Sequence, residues 1–152
     1  MRFALTHGFL VLDEWTTLAD GTLIIEDGKI EKVLPTSEFH PENMEAVDLH
    51  GETVYPGFID LHVHGGMGRD FIEGAGSIEA VSDNVVADGT TAFLCSLTVQ
   101  SHEQELKSLK GLSSHQEKGA QCLGIHMEGP YLSAQYKALM DERYLRDPSE
   151  SE

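Results

Sequence analysis

From Phe58 onward, strand-length apolar runs alternate with helical periodicity, and this order constrains the fold more than any other feature of the chain. Phe58-Ile59-Asp60-Leu61-His62-Val63-His64 is the first run, residues 91–99 the second and residues 121–128 the third. Between the first two, Ser77 is placed to cap a helix whose apolar stripe is Ile78, Val81 and Val85, with Gly89 to end it. Between the later two, Ser101 and Gln104 form a capping-box pattern ahead of Leu106 and Leu109, and Gly111 is expected to weaken or break that helix. The β-α-β-α-β order predicts a mostly parallel sheet covered by helices.

The residues before Phe58 have a different grammar. Phe3-Ala4-Leu5 and Phe9-Leu10-Val11-Leu12 read as short strands around an interruption at Thr6-His7-Gly8. Residues 22–26 and 29–34 flank Asp27-Gly28, a two-residue hairpin turn, and Pro35 closes the second of them because it lacks a backbone donor. Residues 36–45 read as a polar loop, followed by short strands at 46–49 and 53–55. This predicts a small, mostly antiparallel sheet. Trp15 is expected to sit in or over that sheet rather than to anchor a partner.

Composition excludes several function classes. In 152 residues, ten basic against twenty-six acidic side chains give a formal charge of -16, which opposes nucleic acid or anionic membrane as the main partner. A phosphate on a substrate would need a local exception to that field. No apolar run approaches the roughly twenty residues of a membrane span, and the first twelve residues lack the pattern of a signal peptide. A cytoplasmic location is expected. Cys95 and Cys122 lie in apolar runs and read as reduced core residues rather than a disulfide or a ligand pair.

The chemistry-bearing residues gather around the first and third runs. Side chains alternate along a strand, so His62 and His64 share one face with Asp60 below them. Gly65 and Gly66 follow and put no bulk over the pair. Such a pair suits a divalent metal, Zn²⁺ first, which binds neutral imidazole and keeps a position open for water in catalytic sites. It also suits the wet face of an edge strand. Glu128 ends the third run at Gly129-Pro130, and strand C-terminal ends build the site in a parallel barrel. There Glu128 reads as a third ligand or as a surface acid. His126 reads as a substrate contact, a partner of the ligands or a satisfied interior histidine, and Asp60 as the orienter of a ligand histidine or part of a local network.

The segments Pro56-Gly57-Phe58-Ile59-Asp60-Leu61-His62-Val63-His64-Gly65-Gly66 and Leu123-Gly124-Ile125-His126-Met127-Glu128-Gly129-Pro130-Tyr131-Leu132-Ser133 resemble the N-terminal part of the N-acetylglucosamine-6-phosphate deacetylase family, in the amidohydrolase superfamily. The resemblance implies an α/β fold: an incomplete amidohydrolase-type TIM barrel, of which residues 55–152 hold the first three strands, preceded at 1–54 by the β-rich part of a small β-sandwich. It implies His62, His64 and Glu128 as metal ligands. It further implies a phosphorylated amino sugar as substrate, compatible with a homo-oligomer, and hydrolysis of the acetamide to glucosamine 6-phosphate and acetate by a metal-activated water.

Two departures from the family matter. After Ser133 the family runs to a Gly-Ala pair and a polar residue of the substrate site, where this chain has Ala138-Leu139-Met140. A thioether is a weak acceptor and donates nothing. The family's later histidine ligands and catalytic aspartate belong to later strands, and a full barrel takes about 250 residues. The 152 residues alone are therefore expected to be inactive. The alternatives are an amidohydrolase acting on another cyclic or linear amide, and a non-catalytic fragment that associates with a partner chain.

Overall fold

The computed structural model describes residues 1–41 and 43–149. The loop expected over 36–45 includes Glu42, which together with residues 150–152 lies outside the described residues. The chain divides into two compact units, Met1–Pro56 and a second that begins at Gly57.

The first unit is one five-stranded sheet. Strand β1 (Arg2–Val11) pairs antiparallel with β2 (Thr17–Glu26), and β2 pairs antiparallel with β3 (Lys29–Pro35). The Asp27-Gly28 turn has positive φ at both positions, 49° and 77°, as a type I′ hairpin requires. Strands β4 (Glu45–Asp48) and β5 (Thr53–Val54) both run parallel to β1, so the sheet is mixed, with the longer pairings antiparallel. Strand β1 is continuous where two short strands are expected. The register shifts on either side of Gly8 absorb the Thr6-His7-Gly8 irregularity without ending the strand. Ala4, Leu10, Leu23, Ile24 and Leu34 are buried.

Trp15 does not cover the sheet. It is 87% exposed, because the Asp13 carboxylate accepts the amides of Trp15 and Thr16, each at 2.8 Å, and closes a tight loop that turns the indole outward. Its Nε1 donates to Glu14 at 2.7 Å.

In the second unit, β6 (Phe58–Val63) leads into a short hairpin of β7 (Gly65–Gly66) and β8 (Arg69–Asp70). Helix α1 (Ala75–Val85), strand β9 (Thr90–Leu97), helix α2 (His102–Leu112) and strand β10 (Gln121–Met127) follow. The sheet order is β10-β9-β6, with both pairings parallel. This is an α/β fold related to the TIM barrels, with the barrel unclosed. The strand at each edge leaves apolar side chains uncovered: Phe58, Ile59 and Leu61 are 57–61% exposed on β6, and Leu123 and Ile125 are exposed on β10. No helix among the described residues is long and apolar enough to cross a membrane.

Two helix signals work differently from expectation. Ser77 does not cap α1: its buried hydroxyl donates to the Gly74 carbonyl at 2.6 Å from within the first turn. The chain enters α1 from a 3₁₀ turn (Phe71–Glu73) held by a capping box between Asp70 and Glu73, so helical geometry begins earlier. Nor does Gly111 break α2. A Cβ there would lie 3.3 Å from the Gly74 Cα, so the glycine permits close approach of the helix to that turn. Ser101 does cap α2, accepting the Gln104 amide at 3.3 Å.

The core of this unit packs Phe71, Ile78, Val81, Phe93, Cys95, Leu97, Leu112 and Ala120. Within it, the Cys95 and Cys122 sulfurs lie 3.5 Å apart as free thiols. Burial, reinforced by Cys122, pushes the Cys95 thiol far up, so little reactive thiolate forms there. Iodoacetamide is therefore expected to label the partly exposed Cys122 on the native protein and Cys95 only after unfolding in urea. Mass-spectrometric mapping that finds Cys95 labelled first would contradict this burial.

Candidate functional site

Because both pairings of the sheet are parallel, the ends of β6, β9 and β10 lie along one rim. His64 directly follows β6, Glu128 directly follows β10, and the Glu128 amide donates to the Leu97 carbonyl at 2.9 Å, which extends the ladder to the rim. His62 Nε2 and His64 Nε2 are 3.2 Å apart. The Glu128 carboxylate lies 3.0 Å from His64 Nε2 and 3.5 Å from His62 Nε2. The three donor atoms fall within 4.8 Å of one another, although His62 and Glu128 come from the two edge strands of the sheet.

The protonation of His64 decides what the cluster can bind. Its Nδ1 is 3.0 Å from the Ser96 carbonyl, which can only accept, so Nδ1 carries the proton. In its neutral form the ring then presents a bare Nε2 to a carboxylate and to a second imidazole nitrogen. A bare Nε2 facing a carboxylate oxygen 3.0 Å away needs a positive centre between the two, either a proton or a cation. The donor set, two imidazoles and one carboxylate, fits a divalent cation of the borderline class. The cluster is thus a candidate metal site, and its partly exposed side chains leave it open to solvent on one side.

Asp60 and His126 occupy different places. The Asp60 carboxylate accepts the backbone amide of His62 at 3.0 Å and so braces the strand rather than an imidazole ring. The His126 ring packs edgewise on His62 with centroids 4.9 Å apart, and its Nδ1 is 3.1 Å from the Ser96 hydroxyl. Ser96 was not among the residues the sequence singled out. The signal available for it is a hydroxyl set in the apolar run at the C-terminal end of the middle strand, between Cys95 and Leu97.

A cavity of about 310 Å³ adjoins the cluster. His64 and Glu128 line it together with Val99, Leu139, Met140 and Asp141. Met140 therefore faces the same space as two of the cluster residues. Asp141 is held by Arg143, which donates to both carboxylate oxygens and brings the carboxyl down to about 2.

No family model matches the chain. It is 31% identical over 149 residues to the N-acetylglucosamine-6-phosphate deacetylase of Bacillus subtilis, a match covering 93% of this chain and 37% of that protein. The Rattus norvegicus protein of the same name is 34% identical over 141 residues, with coverage of 85% and 34%. In fold, the chain is similar to the crystal structure of the N-acetylglucosamine-6-phosphate deacetylase from Pasteurella multocida, with a TM-score of 0.88 at 30% identity over 99% of this chain and 40% of that one. The Thermotoga maritima enzyme gives a TM-score of 0.75 at 25% identity, over 98% of this chain and 38% of that one. The chain thus spans well under half the length of these relatives.

Proposed function

Since the chain is a relative of part of the N-acetylglucosamine-6-phosphate deacetylases, within the amidohydrolase superfamily, we propose that it carries the metal-holding part of a hydrolase that cleaves the acetamide of N-acetylglucosamine 6-phosphate. The products are glucosamine 6-phosphate and acetate. The observation that carries this reading is the convergence of His62, His64 and Glu128 within 4.8 Å on one rim of a parallel sheet. These three residues hold a divalent cation, Zn²⁺ by its preference for imidazole with carboxylate. When bound, such an ion polarises an amide carbonyl and acidifies water.

The chain's own residues supply position rather than proton transfer. The Ser96 carbonyl fixes the ring of His64, and Asp60 braces the strand that carries both histidines. The described carboxylates on the adjoining cavity are Glu128 and Asp141. Glu128 is committed to the cation, and Asp141, held at about 2 by Arg143, is a poor proton acceptor near neutrality. The open β6 and β10 edges leave the substrate pocket without walls on those sides. Each missing acid-base or charge-stabilising contact costs about 100-fold or more. The 152 residues alone are therefore expected to show only background turnover.

One observation favours a second reading, an amidohydrolase acting on another cyclic or linear amide. Leu139 and Met140 line the cavity beside the cluster and offer no hydrogen-bond donor from their side chains to a sugar phosphate.

Two assays test these readings. Purified, zinc-loaded chain is expected to release no glucosamine 6-phosphate above background; turnover abolished by His64→Ala would overturn the claim of inactivity. The protein encoded by the whole native reading frame is expected to deacetylate N-acetylglucosamine 6-phosphate and to leave dihydroorotate and hydantoin intact. The reverse preference would replace the first reading with the second.

A further inference from the structure

Ser96 stands between the two histidine-bearing edges of the sheet. It is fully buried on the middle strand, and it is the direct cross-strand partner of His126. Its carbonyl meets His64 Nδ1 at 3.0 Å, and its hydroxyl meets His126 Nδ1 at 3.1 Å. The two contacts have opposite polarity. A carbonyl only accepts, so His64 must donate to it. A buried hydroxyl has a hydrogen to place, and His126 Nδ1 is its one hydrogen-bonding partner among the described residues. Leaving that hydrogen without an acceptor would cost the desolvation of an unmade bond. The hydroxyl therefore donates, and His126 Nδ1 accepts.

We propose that Ser96 is a positioning residue that imposes opposite tautomers on two histidines of the rim, so that His64 offers a bare Nε2 to the cation while His126 keeps its Nε2 proton. This rests on the metal reading of the cluster. It keeps His126, whose ring centroid lies 4.9 Å from that of His62 and which stands outside the converging donor set, from joining the ligands. A protonated Nε2 has no lone pair for a metal. His126 becomes instead a hydrogen-bond donor beside the cation, suited to an oxygen ligand such as an amide carbonyl or a carboxylate product.

Long-range ¹H–¹⁵N correlation spectra of the histidine rings, taken above the ordinary imidazole titration range, test this directly. In the metal-free chain, His64 is expected to be protonated at Nδ1 and His126 at Nε2. Ser96→Ala removes the hydroxyl but keeps the carbonyl, so His126 is expected to relax to a tautomer mixture while His64 stays as it was and reports that the fold is intact. Ser96→Thr is expected to restore the His126 pattern. Zinc is expected to shift the Nε2 signals of His62 and His64 and to leave the His126 Nε2 proton in place. Acetate added to the zinc-loaded chain is expected to move the His126 Nε2–H cross-peak.

A wild-type His126 protonated at Nδ1, a His126 indifferent to Ser96→Ala, loss of its Nε2 proton on adding zinc, or a cross-peak unmoved by acetate would each overturn the proposal. A His64 that ignores zinc would instead sink the metal reading. The metal-free spectra would still decide the tautomers by themselves.

Discussion

His64→Ala is expected to weaken zinc binding more than any other single substitution in this chain. The ring is held by a 3.0 Å hydrogen bond to the Ser96 carbonyl, and its Nε2 lies within 3.2 Å of both His62 Nε2 and the Glu128 carboxylate. Removing an outer hydrogen-bond partner of a ligand costs about 10–100-fold in metal affinity, so removing the ligand atom itself should cost at least ~100-fold. His62→Ala should act in the same direction from a more exposed ring, half of whose side-chain surface is open to solvent. Isothermal titration of zinc into each variant reads the effect. A one-site isotherm unchanged by both substitutions would show that the imidazole cluster is not the site.

The second large effect is structural. Phe71 is fully buried and stacks on Phe93 with centroids 5.9 Å apart and planes 9° from parallel, inside the core formed with Ile78, Val81, Leu97 and Leu112. Phe71→Ala removes that ring from a packed interior, a change that typically costs about 3–5 kcal/mol. Whole domains are stable by only about 5–15 kcal/mol. The open edges of β6 and β10 put this unit at the low end, so the variant should be largely unfolded at moderate urea concentrations that leave the wild type folded. Urea titration followed by circular dichroism measures it. A loss below about 1 kcal/mol would mean that the Phe71 site collapses without penalty, contrary to its dense surroundings.

Much of the fold was legible because its signals are local. The alternation of Phe58-Ile59-Asp60-Leu61-His62-Val63 announces a strand, and period two puts His62 and His64 on one face wherever that strand goes. Ser101 caps α2 because a hydroxyl at that position needs only the amide three residues on. The Asp27-Gly28 turn needs only two residues that tolerate positive φ. Signals of this kind misled where a non-local contact outweighed them. Gly111 reads as a helix breaker but serves the approach to Gly74, and Ser77 reads as a cap but is pre-empted by the turn that Asp70 and Glu73 close. Trp15 reads as a core residue because its apolar area is large, yet a loop closed by Asp13 turns it outward.

By itself, then, the sequence determined the alternation of β6, α1, β9, α2 and β10, the face shared by His62 and His64, and the placement of Glu128 at a strand end. Only the tertiary structure decided that β4 and β5 run parallel to β1, that Glu128 comes within 3.0 Å of His64, and that Ser96 joins His64 to His126. The physical reason is the range of the forces involved. Backbone sterics and the spacing of apolar side chains act within a few residues and leave their mark in the local pattern. Which edges pair, and in what register, depends on packing summed over residues far apart in the chain. A shift of one residue between β9 and β10 would turn His126 away from Ser96 while leaving every local pattern in the sequence unchanged.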